Sequence, residues 1–360
     1  MTNTQSVNPR AVVVGTGFGC RIHVPALRSA GFEVAALVGT NTERLARRAE
    51  SAGVHNTFTD LEIAIEKTGA TVVTVATPPE SHARLVLKAL EHRCHVICEK
   101  PMAFDAAEAR AMLAAAERAG VMHLIGNEFR WQPDRALVGR AIAEGLIGEP
   151  RFLTLTQYIP FAADTTARLP KWWFTKEAGG GWLGASGSHL IDQVRMWVGD
   201  FGSLSAALPT VSDRVNVAED SFVLRFRMKN GLEGIIQQTA GAWGPQATMC
   251  RVAGSQGTVW MEDGIVRVAN RDGVRDLPIP DDLVLPPAPA PAAAGSSNRF
   301  SHLELGPYTR LCEALRCGME GRPIKTAVPL PTFRDGLACM EVLDAIRSSA
   351  QQDGMLIRLG

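Results

Sequence analysis

In the first third of the chain, short apolar, β-branched runs alternate with stretches whose apolar positions recur at helical spacing. This alternation predicts βαβ units on a parallel sheet. "AVVVGTG" (residues 11–17), "EVAALVG" (33–39), "TVVTVATPP" (71–79), "HVICEKP" (95–101) and "VMHLIG" (121–126) read as strands. Between them "HVPALRSAG" (23–31), "TERLARRAESAG" (42–53), "SHARLVLKALEHR" (81–93) and "AAEARAMLAAAERAG" (106–120) read as helices. Asp105 and Glu108 resemble a capping box at the start of the last of these, and Gly120 supplies its stop.

Beyond residue 132 the texture changes. "RFLTLTQYI" (151–159), "SFVLRFRM" (221–228), "GLEGIIQQTA" (231–240), "GTVWMED" (257–263) and "GIVRVAN" (264–270) are longer, several with strict alternation, and Lys229-Asn230-Gly231 and Glu262-Asp263-Gly264 are hairpin signals. Two domains are therefore expected: residues 1–131, doubly wound around a parallel sheet, and residues 132–360, an α+β unit built on mainly antiparallel sheet. Two helical patterns close the chain, at 305–320 and 333–350. The stretch 278–298, "PIPDDLVLPPAPAPAAAGSSN", is too rich in proline, alanine and serine to bury a core and is expected to be a mobile surface loop.

The 360-residue length supports this division into two cores, and 46% hydrophobic with 21% charged residues is the balance of a globular protein. Basic and acidic residues number 37 each, so no polyanion such as nucleic acid is expected as a partner. The polar opening "MTNTQSVNPR" and the lack of a long apolar run predict neither a signal peptide nor a membrane span, hence a cytoplasmic protein. Seven cysteines, scattered and odd in number, read as free thiols, and no metal site is expected.

Candidate chemistry begins at the first strand–helix turn. Gly15 and Gly17 allow a tight turn and close backbone approach, and a helix start then offers unpaired N–H groups to a pyrophosphate. The third glycine of the usual G-x-G-x-x-G spacing falls at Cys20, with Gly19 one place early; cysteine is small enough for the helix–strand contact that position makes. At the end of the second strand, where an acid normally holds the ribose 2′-hydroxyl, stand Gly39, Thr40 and Asn41, with Arg44 shortly after. Without a carboxylate to repel a 2′-phosphate, this set favours NADP over NAD.

Ligands of open parallel sheets bind at the carboxyl ends of the strands. "ATPPESH" (76–82) and "CEKP" (98–101) both leave strands at that edge, and the second delivers Lys100. Pro101 biases the residue before it toward an extended conformation, which restricts how Lys100 points. A lysine between apolar walls and a nicotinamide cation suits a general base that accepts an alcohol proton as hydride leaves the carbon.

"GTGFG", "ATPPESH", "CEKPMA", "GGGWLGASGSHLIDQVRMWVG" (179–199) and "FRDGLACMEVLDAIRSSAQQDG" (333–354), in this order, resemble the Gfo/Idh/MocA family of NAD(P)-dependent oxidoreductases. The resemblance implies a Rossmann domain, a second domain with a large open sheet, a sugar, polyol or related substrate, and a homodimer or homotetramer. It assigns Lys100 as catalytic base and His189 as the histidine that binds the reacting oxygen. Gly15, Gly17, Phe18 and Gly19 fall in the cofactor turn, and Thr77, Pro78, His82 and Glu99 in cofactor-facing loops. Many dehydrogenases of that family carry an aspartate four residues before this histidine, where this chain has Ala185. The loss leaves a catalytically silent or redox-neutral dinucleotide-binding protein as the alternative reading. Trp172 and Trp173, Arg168 and Asp192 are the expected substrate contacts, the tryptophans against a sugar ring, Arg168 or Lys171 against an anionic group, with a structural bond as the other reading of Asp192.

Overall fold

The computed structural model describes residues 8–262, 264–287, 289 and 301–360. The chain forms two sheets. In the first, β1 (Arg10–Val14), β2 (Glu33–Val38), β3 (Thr57–Phe58), β4 (Val72–Val75), β5 (His95–Cys98) and β6 (His123–Ile125) lie parallel in the order β3-β2-β1-β4-β5-β6. The central strands are buried along their length, which is why they read as unbroken apolar runs. The connections carry α1 (Val24–Ser29), α2 (Thr42–Ala52), α3 (Leu61–Thr68), α4 (His82–Glu91) and α5 (Ala106–Ala119). The strand order reverses between β1 and β4, which opens a crevice above their carboxyl ends.

Local chemistry sets the helix ends. The Asn41, Asp60 and Asp105 side chains cap α2, α3 and α5 by accepting hydrogen bonds from backbone N–H groups three residues on, and Gly120 ends α5 in the left-handed region. Glu108 accepts from the Phe104 N–H rather than that of Asp105, so the expected box closes one residue early.

The second sheet has the order β14-β13-β12-β11-β7-β10-β9-β8-β15. Its strands are β7 (Pro150–Tyr158), β8 (Phe201–Ala207), β9 (Ser221–Met228), β10 (Glu233–Thr239), β11 (Ala247–Gly254), β12 (Gly257–Glu262), β13 (Ile265–Asn270), β14 (Gly273–Leu277) and β15 (Ile357–Arg358). Neighbours pair antiparallel except β7 with β10, which run parallel. From Phe222 to Met228 buried and exposed positions alternate in β9, with one face on the core and one outward. The inner face packs against α6 (Pro133–Ala143), α7 (Ser188–Val198) and α9 (Phe333–Gln351).

The last two helices also bind the first sheet's layer. Arg316, on α8 (Ser301–Met319), donates to the carbonyls of Ala30 and Gly31 at 3.0 and 2.9 Å. The Asp344 carboxylate on α9 accepts from the Ala106 N–H at 2.8 Å. At the start of the stretch expected as a mobile loop, Leu283 is buried and Asp282 pairs with Arg140 at 2.6 Å. Residues 288 and 290–298 of that stretch lie outside the described residues. Among the described residues, no helix is long and apolar enough to cross a membrane.

Candidate active site

The site starts where β1 ends. Gly15 has φ +115°, and a Cβ there would stand 2.2 Å from the Ala76 carbonyl oxygen, so only glycine lets the ends of β1 and β4 approach this closely. Gly17 has open space where a side chain would stand. The turn therefore fits the pyrophosphate of a dinucleotide: a backbone bare of side chains at the head of a helix, facing a crevice. Cys20 packs partly buried against the core, as its small size allows, but the closest helix–strand approach falls one residue earlier, at Gly19. A Cβ on Gly19 would lie 2.8 Å from Val13 Cγ1, so Gly19 makes that contact and does not line the cavity. The spacing, one residue short, coincides with a single wide π turn, Gly19–His23, ahead of α1.

One cavity of about 2090 Å³ runs from this turn across both sheets. Gly15, Gly17 and Phe18 line it, as do Thr40, Asn41 and Arg44 at the end of β2 and Thr77 and Pro78 after β4. Arg44 is steadied there by its Nε donating to Thr16 Oγ1 at 2.8 Å. Glu99 and Lys100 enter after β5, His189 from α7, and Arg168, Trp172 and Trp173 from the segment before it.

Lys100 Nζ donates to the Ala185 carbonyl at 2.9 Å. Ala185 sits in a wide turn, Leu183–Gly187, and its buried methyl packs with Trp182, Ala162 and Ala240. His189 packs its ring against Phe129 at 4.5 Å; burial, with the Lys100 and Arg135 cations beside it, holds its pKa well below the ordinary value, so the ring is neutral. Trp182 meets Trp173 edge-on at 5.3 Å and Phe161 at 6.1 Å, which makes the far wall aromatic.

Behind Lys100 lies a cluster of acids. Glu99 accepts from the Tyr308 hydroxyl at 2.9 Å and meets His23 Nε2 at 3.1 Å, and Gly126 leaves it room, since a Cβ there would touch its carboxylate. Burial pushes the Glu99 carboxyl up, but the His23 contact, the Lys100 charge and Tyr308 outweigh it and hold it below its usual range. Glu304 pairs with Arg21, yet burial keeps its pKa raised. Glu128 is 1% exposed and its Oε2 has no hydrogen-bond partner among the described residues. Sequence reasoning missed Glu128, Glu304, Tyr308 and Arg21. The rule that exposed Lys100 reaches Glu128, which follows β6 at the same edge of the sheet.

Two further expectations are corrected. His82 does not line the cavity: it is fully buried, with Nδ1 3.1 Å from the Pro101 carbonyl and Nε2 2.7 Å from that of Thr77, tying two loops together from behind. Asp192 is 2% exposed and engaged by Arg130, whose Nε and Nη2 lie 2.7 and 2.5 Å from its two oxygens. It points away from the cavity because its helix turns that face toward Glu128–Trp131 and α9.

A family model described as "Oxidoreductase family, NAD-binding Rossmann fold" matches residues 9–127, and one described as "GFO/IDH/MocA C-terminal domain" matches residues 136–260. The D-apiose dehydrogenase of Paraburkholderia graminis is 30% identical over 284 residues, 76% of this chain and 73% of that one. The levoglucosan dehydrogenase of Pseudarthrobacter phenanthrenivorans is 35% identical over 171 residues, 47% of this chain and 44% of that one. Among solved structures, a levoglucosan dehydrogenase in complex with NADH and levoglucosan superposes with a TM-score of 0.82 at 26% identity, covering 98% of this chain and all of that one.

Proposed function

The chain belongs to the Gfo/Idh/MocA oxidoreductases, and on that premise we propose that it is a nicotinamide-dependent dehydrogenase interconverting a secondary alcohol and a ketone on a sugar or polyol. The observation that carries this reading is that Lys100 and His189 line the same cavity as the Gly15–Gly17 turn. The sugar-directed relatives support the substrate class.

A nicotinamide dinucleotide bound at that turn supplies the hydride acceptor for oxidation and the donor for reduction. Lys100 Nζ, anchored on the Ala185 carbonyl, takes the alcohol proton as the carbon loses hydride, and returns it to the carbonyl oxygen in the reverse direction. His189, neutral, hydrogen-bonds the same oxygen and brings no second positive charge next to Lys100. Trp172 and Trp173 offer apolar faces to ring C–H groups, and Arg168 stands at their rim.

The cofactor preference in this reading is NADP. The end of β2 carries Gly39, Thr40 and Asn41 in place of an acid, and Arg44 and Arg48 line that end of the cavity, where a 2′-phosphate would be drawn to them. The reading also includes a homodimer or homotetramer. Tyr158, Val223, Ile235 and Met249 lie on neighbouring strands of the second sheet and are all exposed, a mixed apolar face that a second copy would cover.

The test is turnover of NADP⁺ or NAD⁺ with a panel of sugars and inositols, followed by nicotinamide absorbance. Wild type is expected to turn over at least one, with kcat/KM higher for NADP⁺ than for NAD⁺. Lys100→Met is expected to lose a factor of about 10² to 10⁴ in kcat while still binding cofactor. Flat traces from wild type that nonetheless binds cofactor would move the reading to a redox-neutral or silent protein.

A further inference from the structure

We propose that the Glu128 carboxyl binds the substrate directly, hydrogen-bonding a hydroxyl next to the oxygen that Lys100 serves. The proposal rests on the dehydrogenase reading above and adds to it a substrate contact. Glu128 lines the cavity at the carboxyl end of β6, one strand over from Lys100, and the next residue, Phe129, is the ring on which His189 packs. Its side chain is 1% exposed, and its Oε2 lacks a partner among the described residues. A buried carboxyl oxygen without a partner is costly unless something else supplies the hydrogen bond, and a ligand in the adjoining cavity can.

The surroundings decide its ionisation. Glu99 and Lys100 act on it from the end of β5, Glu304 and Tyr308 from α8, and Arg135 from α6. Burial and the two carboxylates push its pKa well above the ordinary value, against the opposing pull of Lys100. The carboxyl is therefore neutral and has a proton to donate, which the carboxylate does not. A polyol hydroxyl both gives and receives hydrogen bonds, so it satisfies the orphaned oxygen and the acid proton together.

The experiment compares E128Q and E128A with wild type in the full chain. An amide is neutral at every pH and still donates, so E128Q is expected to keep most of the activity near neutrality. Wild type is expected to decline on the alkaline side as Glu128 ionises, and E128Q to lose that decline. E128A is expected to lose about tenfold or more in kcat/KM for the polyol with cofactor affinity unchanged. Wild-type kinetics in E128A, an E128Q as impaired as E128A, an alkaline limb that persists in E128Q, or a loss confined to cofactor affinity would each overturn the assignment. The carboxyl is also read without turnover. An infrared difference spectrum between wild type and E128Q is expected to show a protonated carboxyl stretch at neutral pH that shifts on adding myo-inositol or levoglucosan with cofactor, and a missing band or an unmoved one overturns it. Failure of wild-type turnover with that shift present would instead sink the dehydrogenase reading alone.

Discussion

Asp192 separates a packing role from a substrate-binding role, and the two predict opposite measurements. In the structure Arg130 grips both Asp192 oxygens and also lies 3.1 Å from Asp335 Oδ1, while its Nη1 donates to the Pro329 carbonyl at 3.1 Å. Asp335 in turn caps α9 through Thr332, so one buried guanidinium joins the Glu128–Trp131 segment, α7 and α9. The Asp192 and Asp335 carboxylates outweigh burial and raise the Arg130 pKa further. Removing one member of a buried pair strands the other charge, at a cost of about 3–5 kcal/mol. Asp335 and the Pro329 carbonyl remain, so Asp192→Ala should sit at the low end, about 3 kcal/mol. Against a total of roughly 5–15 kcal/mol, that is a large share.

The assay is guanidinium unfolding of the cofactor-free chain beside steady-state kinetics on the best substrate of the panel. Asp192→Ala should lower the unfolding midpoint strongly, and the KM for substrate should stay within about twofold, since no substrate contact is lost. Arg130→Met/Asp192→Leu should recover much of the stability, because an apolar pair of similar volume replaces two desolvated charges. An Asp192→Ala protein with the wild-type midpoint and a raised KM would refute this reasoning and restore Asp192 as a substrate ligand.

Burial pushes the pKa of His82, His123 and His189 down. With His95, also lowered by burial, these imidazoles take up protons near pH 6 only on unfolding, outnumbering the protons that the folded chain keeps on the raised Glu128 and Glu304 carboxyls, so stability should fall as pH drops below about 6.5. Unfolding midpoints at pH 5.5 and 7.5 check this, and a midpoint at pH 5.5 equal to or above that at pH 7.5 contradicts it. Ile235→Lys puts a charge in the middle of the exposed face of the second sheet, where Ile235 is 41% accessible. The variant should keep its circular dichroism and run as a smaller species in light scattering; an unchanged mass removes this face as the subunit contact.

The parallel sheet was legible because burial on both faces leaves apolar runs such as "AVVV" and "HVIC", and each glycine or proline that follows marks the turn. β3 and β15 escaped because two residues carry no period. The parallel pairing of β7 with β10 escaped for another reason: both strands alternate as antiparallel strands do, and their direction is set by connections through other elements. The return of α8 and α9 to the first sheet is likewise long-range, written in contacts such as Arg316 with Ala30 that no local pattern encodes. Leu283 was submerged in a proline-rich composition, though its burial pins the short helical turn Asp281–Leu283 to the core.

Within the site, the letters that sequence reading treats alike are separated by their partners. Asp192 and Glu128 are both buried acids near the histidine helix, yet Asp192 meets Arg130, 62 residues away in sequence, while Glu128 meets no donor for its Oε2 among the described residues. The same holds around Lys100. Glu99, buried, has His23 and Tyr308 as donors and is held ionised; Glu304 has Arg21 and still loses to burial; Glu128 is pushed highest toward the neutral acid. Burial is common to all three, so it cannot be what distinguishes them: the count and charge of donors does. That makes the ionised acid the scaffold, its hydrogen bonds already spent on the protein, and the neutral one the group with bonding capacity left for a molecule in the cavity.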